Sequence, residues 1–237
     1  MAASFNGTTD QLGRTTGLPS RTAFTACGWA KRNADTGNYS VLFSLWDAGG
    51  NTLALSFVEN GDNIQVFTHA ANSATIITPG SGNWFFWAIT GGATLVGYAG
   101  VGTDALSTQS IAQATFTPDT MSIGNISAAS YYLNGDIGPV KIWDATLTQA
   151  EIENERWQYL PNRLANLHLF SPLINTGGTS FLDISGAGRN WTEGGTVIDA
   201  SGPPISWKMG RHRVLIPVAA GGSIVPLLLY QYRARRV

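Results

Sequence analysis

Residues 133–157 read LNGDIGPVKIWDATLTQAEIENERW, and this stretch decides the fold class. Glu151, Glu153 and Glu155 stand at alternate positions in it. On a β-strand this spacing would direct all three carboxylates to one face, where a glycan-cleaving enzyme needs an acid and a base. The letters TQAE, which begin at Thr148, form a capping box and favour a helix instead. The stretch is therefore predicted to be a closing β-strand followed by one short helix.

The geometry of a helix separates these carboxylates. At about 3.6 residues per turn, Glu153 lies roughly opposite Glu151 and Glu155, so the three groups do not converge. We predict that Glu151 caps the helix, that Glu153 and Glu155 are solvated, and that the helix ends near Tyr159, shortly before a proline. Two apolar residues of this helix are predicted to face a sheet edge: Ile152 and Trp157.

The sequence before this stretch is typical of an all-β protein. Short runs rich in β-branched and aromatic residues alternate with Gly, Asn and Asp clusters, which indicates antiparallel hairpins. The segment NWFFWAIT, residues 83–90, is apolar on both faces and therefore belongs in mid-sheet, with one face in the core and the other covered. Eight or more such strands favour a jelly roll. The predicted strands are residues 22–31, 39–46, 52–58, 63–69, 83–90, 94–99, 120–124 and 135–143.

Composition predicts a neutral surface and an unusual C-terminus. Charged residues make up 12% of the 237 residues, against about 25% in an average domain. Six of the fourteen Lys and Arg residues lie in the last thirty positions, and no acid follows Asp199. The single cysteine, Cys27, excludes an internal disulfide, and its apolar surroundings predict a buried, unreactive thiol.

Five segments follow one another in a recognisable order: SFNGTTDQL (4–12), AFTACGWAKR (23–32), VLFSLWDAGGNTLALSF (41–57), GNWFFWAIT (82–90) and YYLNGDIGPVKIWDATLTQAEI (131–152). In this order they resemble the laminin G-like, concanavalin A-like lectin/glucanase family of jelly rolls, which is also found in phage structural proteins. We therefore expect an all-β, antiparallel two-sheet jelly-roll sandwich with one short helix after the closing strand and an extended C-terminal arm. The fold alone does not select a function, because it hosts lectins, adhesion modules and hydrolases.

The sequence departs from the family at its acidic positions. Where relatives carry acids that are plausible metal ligands, this chain has Asn6, Gly138 and Pro139. We therefore expect no cofactor. The alternative is a structural calcium held by oxygen ligands that would meet at one edge of the sandwich. Its ligands would be Asp10, Asp47 and Asp136.

The chain is predicted to divide into three parts. Residues 1–160 form the jelly roll. Residues 167–197 resemble the segment that normally precedes the family's opening motif, so residues 161–207 are predicted to fold back and complete the sandwich. Some forty residues are too few for a second jelly roll. Residues 208–237 are predicted to be an apolar, basic-tipped arm for assembly.

Glycan binding is the activity that the residues favour, since sugars are held by aromatic faces beside amide groups. The predicted glycan-binding residues are Trp46, Tyr98, Tyr131, Tyr132 and Asn134, with Trp87 and Asn125 as further candidates. Tyr131 and Tyr132 are the first candidates to test as glycan-binding residues, because most tryptophans of a β-sandwich lie in its core. The sequence contains no nucleophile motif and no strand of alternating acids like that of the glucanase branch. We expect a non-enzymatic protein, with a glycoside hydrolase as the weaker alternative.

The C-terminal arm predicts a protein partner. Residues 214–230 are mostly apolar, but their two prolines and Gly-Gly pair disfavour a membrane-spanning helix. The arginines are too few and too interrupted to bind nucleic acid. We expect contacts with other copies of the chain or with capsid or tail proteins. The predicted assembly residues are Val214, Leu215, Ile216, Ile224, Leu227, Leu228, Leu229 and Tyr230.

These features together suggest a virion protein. By analogy with similar phage proteins, we expect a capsid decoration or tail/host-attachment protein whose jelly roll binds a cell-surface glycan. No secretory signal is visible at the N-terminus, and the expected location is the virion. The alternative is a carbohydrate-binding adhesin at the cell surface.

Overall fold

The computed structural model describes residues 1–58, 61–68, 72–126, 131–174, 180–203 and 205. Within these residues the chain forms two antiparallel β-sheets and one helix, which confirms the predicted jelly-roll sandwich. The predicted arm, with all of its proposed assembly residues, lies outside the described residues. No helix in the described ranges is long and apolar enough to cross a membrane.

The secondary-structure elements follow one another along the chain. They are β1 (Ala2–Asn6), β2 (Gln11–Arg14), β3 (Phe24–Arg32), β4 (Ser40–Trp46), β5 (Thr52–Phe57), β6 (Ile64–Thr68), β7 (Asn72–Ile77), β8 (Phe85–Gly91), β9 (Thr94–Val101), β10 (Ser107–Ala112), β11 (Thr120–Ile123), β12 (Asn134–Ile137), β13 (Val140–Trp143), α1 (Gln149–Arg156), β14 (Leu167–Ser171), β15 (Ser180–Phe181), β16 (Trp191–Gly194) and β17 (Ile198–Ala200).

The two sheets, here called sheet A and sheet B, have nine and eight strands. Sheet A has the order β10-β9-β8-β3-β12-β1-β17, and β13 and β14 continue it beside β3. Sheet B has the order β15-β16-β2-β11-β4-β5-β6-β7. The strands after the helix add to both sheets, because β14 pairs with β13, β16 with β2 and β17 with β1.

All eight predicted strands correspond to observed strands, but the prediction missed others. The last predicted strand divides into β12 and β13 at Gly138-Pro139, since proline has no amide hydrogen for a sheet ladder. Both β7 and β10 lie at sheet edges: STQSIA of β10 is mainly polar and exposed, and half of the residues in NSATII of β7 are polar and exposed. Such strands lack the apolar alternation that marks a half-buried strand.

Alternation along β8 places side chains in two separate cores, as predicted. Phe85, Trp87 and Ile89 lie in the main core between the sheets. Phe86 lies on the outer face of sheet A, in a second cluster that contains Ile152 of α1. The helix therefore covers an apolar outer face. Cys27 belongs to the same cluster, and its burial raises the pKa of the thiol to about 12, which confirms the predicted buried cysteine.

The helix begins at the predicted capping box. The Thr148 hydroxyl accepts a hydrogen bond from the Glu151 amide at 3.3 Å, and the Glu151 carboxylate accepts one from the Thr148 amide at 2.8 Å. The latter bond is the main reason why the pKa of Glu151 is lowered. A lowered carboxyl pKa stabilises the fold above the pKa of the unfolded chain, and this stabilisation is lost as the pH falls through the folded value.

Replacing Thr148 by alanine is expected to reduce the free energy of unfolding by about 1 kcal/mol, because the Glu151 amide at the start of α1 loses the hydroxyl that accepts its hydrogen bond. Urea unfolding at pH 7 measures this change, with Gln149→Ala as the control at an exposed neighbouring position. An equal effect of the two substitutions would contradict the role of the cap. The contribution of Glu151, measured with Glu151→Gln, should decline as the pH is lowered below about 4.5.

Candidate functional site

Three half-buried aromatic side chains form a patch on the outer face of sheet B: Tyr39, Phe67 and Tyr131. This group is called the aromatic patch below. The Tyr39 ring meets the Tyr131 ring edge to face, with centroids 5.7 Å apart, and lies 6.2 Å from the Phe67 ring at a tilt of 32°. The floor beneath the patch is fully apolar and consists of Val41, Ala54 and Ile126.

Strand alternation explains why these rings face outward. Phe67 follows Val66, whose side chain lies in the main core, so the Phe67 ring points to the other face of β6. Tyr39 immediately precedes β4, and Tyr131 lies in the connection between β11 and β12. The Tyr131 carbonyl accepts a hydrogen bond from the Val41 amide at 3.1 Å. The patch is therefore built from three separate segments.

The backbone at Tyr131 adopts a left-handed conformation, with φ of 71°. This region is uncommon for residues other than glycine, and a bulky side chain there is strained. Residues of this kind concentrate at ligand-binding and catalytic sites, where the surrounding structure holds them in place. The backbone conformation is therefore a second observation, besides the aromatic ring, that indicates a functional role for Tyr131.

Hydrogen bonds fix the β11–β12 connection across sheet B. The Ser44 hydroxyl donates to the Asn125 carbonyl at 3.0 Å, and the Asn125 side-chain amide donates to the Gln11 side chain at 2.7 Å. The Leu133 amide donates to the Gly124 carbonyl at 2.9 Å. Asn125 is fully buried, so it holds the connection in place and does not present its amide to a ligand. The start and the end of the connection that carries Tyr131 are anchored.

The other predicted glycan-binding residues lie in different places. Tyr132 and Asn134 are half-buried and close to Tyr131 in sequence. Trp46 lies at the far end of β4 from Tyr39, where its indole nitrogen donates to Ser122 at 3.2 Å. Tyr98 is only 8% exposed and belongs to the cluster on the outer face of sheet A. The structure does not bring Trp46 or Tyr98 to the aromatic patch, and Trp87 is fully buried in the main core.

The three aspartates that were considered as calcium ligands each have protein partners. The carboxylate of Asp10 accepts hydrogen bonds from two backbone amides, and Asp136 pairs with Lys31 at 2.7 Å. Asp47 accepts hydrogen bonds from Asn51, whose side-chain amide is the main cause of its lowered pKa. In the described ranges, no three His, Cys, Asp or Glu side chains lie close enough to hold a metal ion. Within the described residues, Asp10, Asp47 and Asp136 therefore do not come together as the alternative of a structural calcium requires.

Two glutamates of α1 have structural roles. Glu151 caps the helix, and the predicted solvation of Glu155 is wrong, because this residue is 2% exposed. The Glu155 carboxylate pairs with the Lys141 ammonium group at 2.9 Å and accepts hydrogen bonds from the amides of Asn162 and Arg163. Lys141 lies on β13, so this buried ion pair joins the helix to sheet A. Glu151 therefore stabilises the start of the helix, and Glu155 attaches the helix to sheet A.

The inward direction predicted for Trp157 is confirmed only in part, because its ring packs 5.7 Å from the ring of the buried Trp29 but keeps one side in solvent. Trp157 is 37% exposed, and the fully buried neighbour Arg156 takes the inward position. The Arg156 guanidinium donates to the carbonyls of Gly102 and Asp104 and lies 5.8 Å from the Trp29 ring centroid. A long cationic side chain can enter an apolar cluster when its donors reach carbonyl groups.

Sequence reasoning missed Tyr39 and Phe67. Both stand in predicted strands, and Phe67 shows a signal that could have been used, since it alternates with the inward-facing Ile64-x-Val66 pattern. For Tyr39 no such signal exists, because this residue lies just outside β4. The proximity of Tyr39 to Tyr131 depends on the long β11–β12 connection, which sequence patterns do not position.

Comparison with known proteins identifies the superfamily to which the chain belongs. A family model described as the concanavalin A-like lectin/glucanases superfamily matches residues 6–153, which is more than half of the chain. The chain therefore belongs to this superfamily. The matching model is of the laminin G type, as the resemblance predicted. No curated protein matches the chain.

Several solved structures share the fold at low sequence identity. A proposed carbohydrate-binding protein from Bacteroides ovatus has a TM-score of 0.62 and 15% identity over 84% of this chain and 60% of its own. The heptameric SAP-like pentraxin of Limulus polyphemus has a TM-score of 0.52 and 14% identity over 81% of this chain and 94% of its own. Tailspike protein 2 of Escherichia coli O157:H7 bacteriophage CAB120 has a TM-score of 0.51 and 11% identity over 69% of this chain and 25% of its own. The chain thus spans less than two thirds of the Bacteroides protein and a quarter of the tailspike, and these likenesses concern the fold.

Proposed function

We propose that the chain is a non-enzymatic carbohydrate-binding module and that the aromatic patch is its binding site. The observation that carries this proposal is the presence of three half-buried rings over an apolar floor on the outer face of a lectin-superfamily sandwich. A sugar ring has an apolar face that packs against aromatic faces and hydroxyl groups that bond to nearby polar groups. The carbohydrate-binding description of the Bacteroides ovatus protein, which has the same fold, supports the proposal.

The state of three carboxylates, two at the helix and one in the turn after β4, supports a non-enzymatic role. Glycosidases need a carboxylic acid whose pKa is raised, next to a second carboxylate. The pKa of Glu151 and that of Asp47 are lowered, and Glu155 is neutralised by Lys141. We therefore expect no release of reducing ends from polysaccharides that the chain binds.

A glycan array probed with the full-length chain tests the proposal. Binding to a limited set of glycans, without hydrolysis of those glycans on prolonged incubation, is the expected result. The absence of binding to every glycan at millimolar concentration would contradict carbohydrate binding. Release of reducing ends would instead favour the hydrolase alternative.

Chelation of divalent metals with EDTA is expected to leave glycan binding and the melting temperature unchanged. Asp10 and Asp47 accept hydrogen bonds from amides and Asp136 pairs with Lys31, so the oxygens of these carboxylates have partners without a metal. The comparison requires one array with and without chelator, together with two thermal melts. A fall in melting temperature that added calcium reverses would contradict this expectation.

We further propose that the module belongs to a virion, where it decorates the capsid or attaches the tail to host glycans. The similar fold of a bacteriophage tailspike supports this role, as does the apolar, arginine-flanked sequence of residues 208–237. In the full-length chain, Leu227→Asp with Leu229→Asp should lower the oligomeric state measured by light scattering. An unchanged oligomeric state would contradict assembly through the arm. Recovery of the chain from cell envelopes and not from purified particles would favour the adhesin alternative.

A further inference from the structure

We propose that one edge of the sandwich, formed by β7 and β10, pairs with the same edge of a second copy of this chain, so that two aromatic patches share one face of the dimer. The pairing itself concerns a surface outside the aromatic patch. Its consequence for glycan binding rests on the proposed function.

The strands β7 and β10 lie at the same edge of the sandwich, in different sheets. β7 follows β6 at the end of sheet B, β10 follows β9 at the end of sheet A, and β10 lies against β7. Gly97 of β9 permits this close approach, since a Cβ atom there would lie 2.6 Å from Ile76 of β7 and 2.9 Å from Val66 of β6. The two strands are therefore stacked, and their free edges point the same way.

Neither free edge has a backbone partner in the part of the chain that the structure describes. β7 pairs with β6 alone and β10 with β9 alone. A strand in this position presents unpaired amide and carbonyl groups along its outer side, and proteins usually keep such an edge from pairing with charged residues or proline. Residues 72–78 and 105–117 contain neither. Both edges are therefore open to another strand.

The other edges among the described strands are protected. Beside β14, the Phe170 amide donates to the Asp183 carboxylate at 3.0 Å, and the Phe170 carbonyl accepts a hydrogen bond from the Ile184 amide at 2.8 Å. β17 has three residues and carries Asp199, and β15 has only two residues. Free, uncharged edges of six residues thus occur together at β7 and β10.

The side chains of β10 suit pairing with an identical strand. Thr108 lies opposite Tyr98, which belongs to the cluster on the outer face of sheet A, so Thr108 and Ser110 face outward and are exposed. A two-fold axis normal to the sheets makes identical strands antiparallel and keeps the two outer faces on the same side. Uncharged side chains then meet across the axis without the repulsion of like charges. A second copy of the chain is the partner that this edge fits.

Pairing through β7 would bring two aromatic patches onto one continuous sheet. Ser73 of β7 lies opposite Phe67 of β6, so β7 is the strand next to the patch. In the dimer, Phe67 and its symmetry mate would be three strand spacings apart, which is about 14 Å across the sheet. Two sites on one face can bind one polysaccharide or one glycan-coated surface together, which raises the apparent affinity without a new contact to the sugar.

The mass of a variant with a charged edge tests the pairing. Thr108→Lys with Ser110→Lys places lysines opposite lysines across the axis, so we expect the dissociation constant of the dimer to rise about tenfold or more. The full-length parent carries Leu227→Asp with Leu229→Asp, so that the arm does not contribute. Analytical ultracentrifugation at micromolar concentration measures the mass, and a parent that is already monomeric would overturn the inference.

The matched control adds the same charge away from both edges. Thr15→Lys with Thr192→Lys changes two exposed threonines, one after β2 and one on β16, at the other end of sheet B from β7. This variant should keep the dissociation constant of the parent. Equal dissociation constants for the control and the β10 variant would overturn the pairing.

Hydrogen exchange of the wild-type chain provides a second measurement if the β10 variant does not fold. The amides of residues 72–77 and 107–112 should exchange more slowly at high protein concentration than after dilution, because pairing covers them. Exchange at both strands that does not depend on concentration would overturn the pairing.

Glycan-coated beads test the shared binding face. The β10 variant should bind a soluble oligosaccharide as its parent does and the coated beads more weakly. Equal binding to the beads by a dimeric parent and a monomeric variant would overturn the shared face. Failure of the wild-type chain to bind any glycan would overturn it together with the proposed function, whereas the mass measurements decide the pairing independently.

Discussion

Replacing Lys141 by alanine is expected to reduce the free energy of unfolding by about 3–5 kcal/mol, the largest effect of any single substitution considered. Lys141 donates to the Glu155 carboxylate at 2.9 Å and to the carbonyls of Glu155 and Gln158 at 3.0 and 2.6 Å. The two side chains are 4% and 1% exposed, so the substitution leaves a carboxylate buried without its counter-ion. Burying an unpaired carboxylate costs far more free energy than an exposed ion pair contributes to stability.

Urea unfolding of the wild-type chain and of two variants measures this effect. The matched control is Arg163→Ala. It removes the ion pair that Arg163, which lies after the helix, makes with Glu151 of α1. Those side chains are 30% and 36% exposed, so this loss should cost about 1 kcal/mol or less. Similar losses for Lys141→Ala and Arg163→Ala would mean that the buried ion pair does not fasten α1 to sheet A.

The second large effect is expected at Tyr131, where removal of the ring should weaken glycan binding about tenfold or more. Aromatic contacts of this kind contribute about 0.5–1.5 kcal/mol beyond their buried area, and about 1.4 kcal/mol corresponds to a factor of ten. The variant of choice is Tyr131→Asn, because asparagine tolerates the positive φ of 71° at this position. The backbone of the connection is thereby kept while the ring is lost.

Two controls isolate the role of the ring. Tyr131→Phe keeps the aromatic face and should retain most of the affinity. Trp157→Ala removes another partly exposed ring, on the outer face of sheet A, and should leave glycan binding unchanged. Phe67→Ala is not a control: it removes a second ring of the aromatic patch and should weaken glycan binding as Tyr131→Asn does. Equal affinities for wild type and Tyr131→Asn, measured by calorimetry on a glycan from the array, would remove Tyr131 from the site.

The sequence predicted the sandwich because its signals are local. Apolar alternation in strands such as β3, β4 and β8 and the capping box at Thr148 depend only on neighbouring residues, and each proved correct. Edge strands such as β7 and β10 escaped prediction, since a strand with little apolar burial has no alternation to detect. The split at Gly138-Pro139 follows from the missing amide hydrogen of proline, which is a local signal in the sequence.

The site was less predictable, because it depends on contacts between distant parts of the chain. Tyr131 was selected from its loop, but its partners Tyr39 and Phe67 lie far from it in sequence and meet it only in the folded sheet. The burial of Glu155 and Arg156 was missed for a related reason. Charged residues on a helix are normally solvated, and only the position of Lys141 on β13 and of the carbonyls near Gly102 makes their burial favourable.

The position of a bound sugar tests the central claim most directly. We propose a crystal structure of the full-length chain with the tightest-binding oligosaccharide from the array, supported by calorimetry on Tyr131→Asn. The account predicts a sugar ring packed on Tyr131, Tyr39 or Phe67, over Val41 and Ala54 on the outer face of sheet B. A sugar bound instead beside Trp157, whose ring packs on Trp29 on the outer face of sheet A, would contradict it.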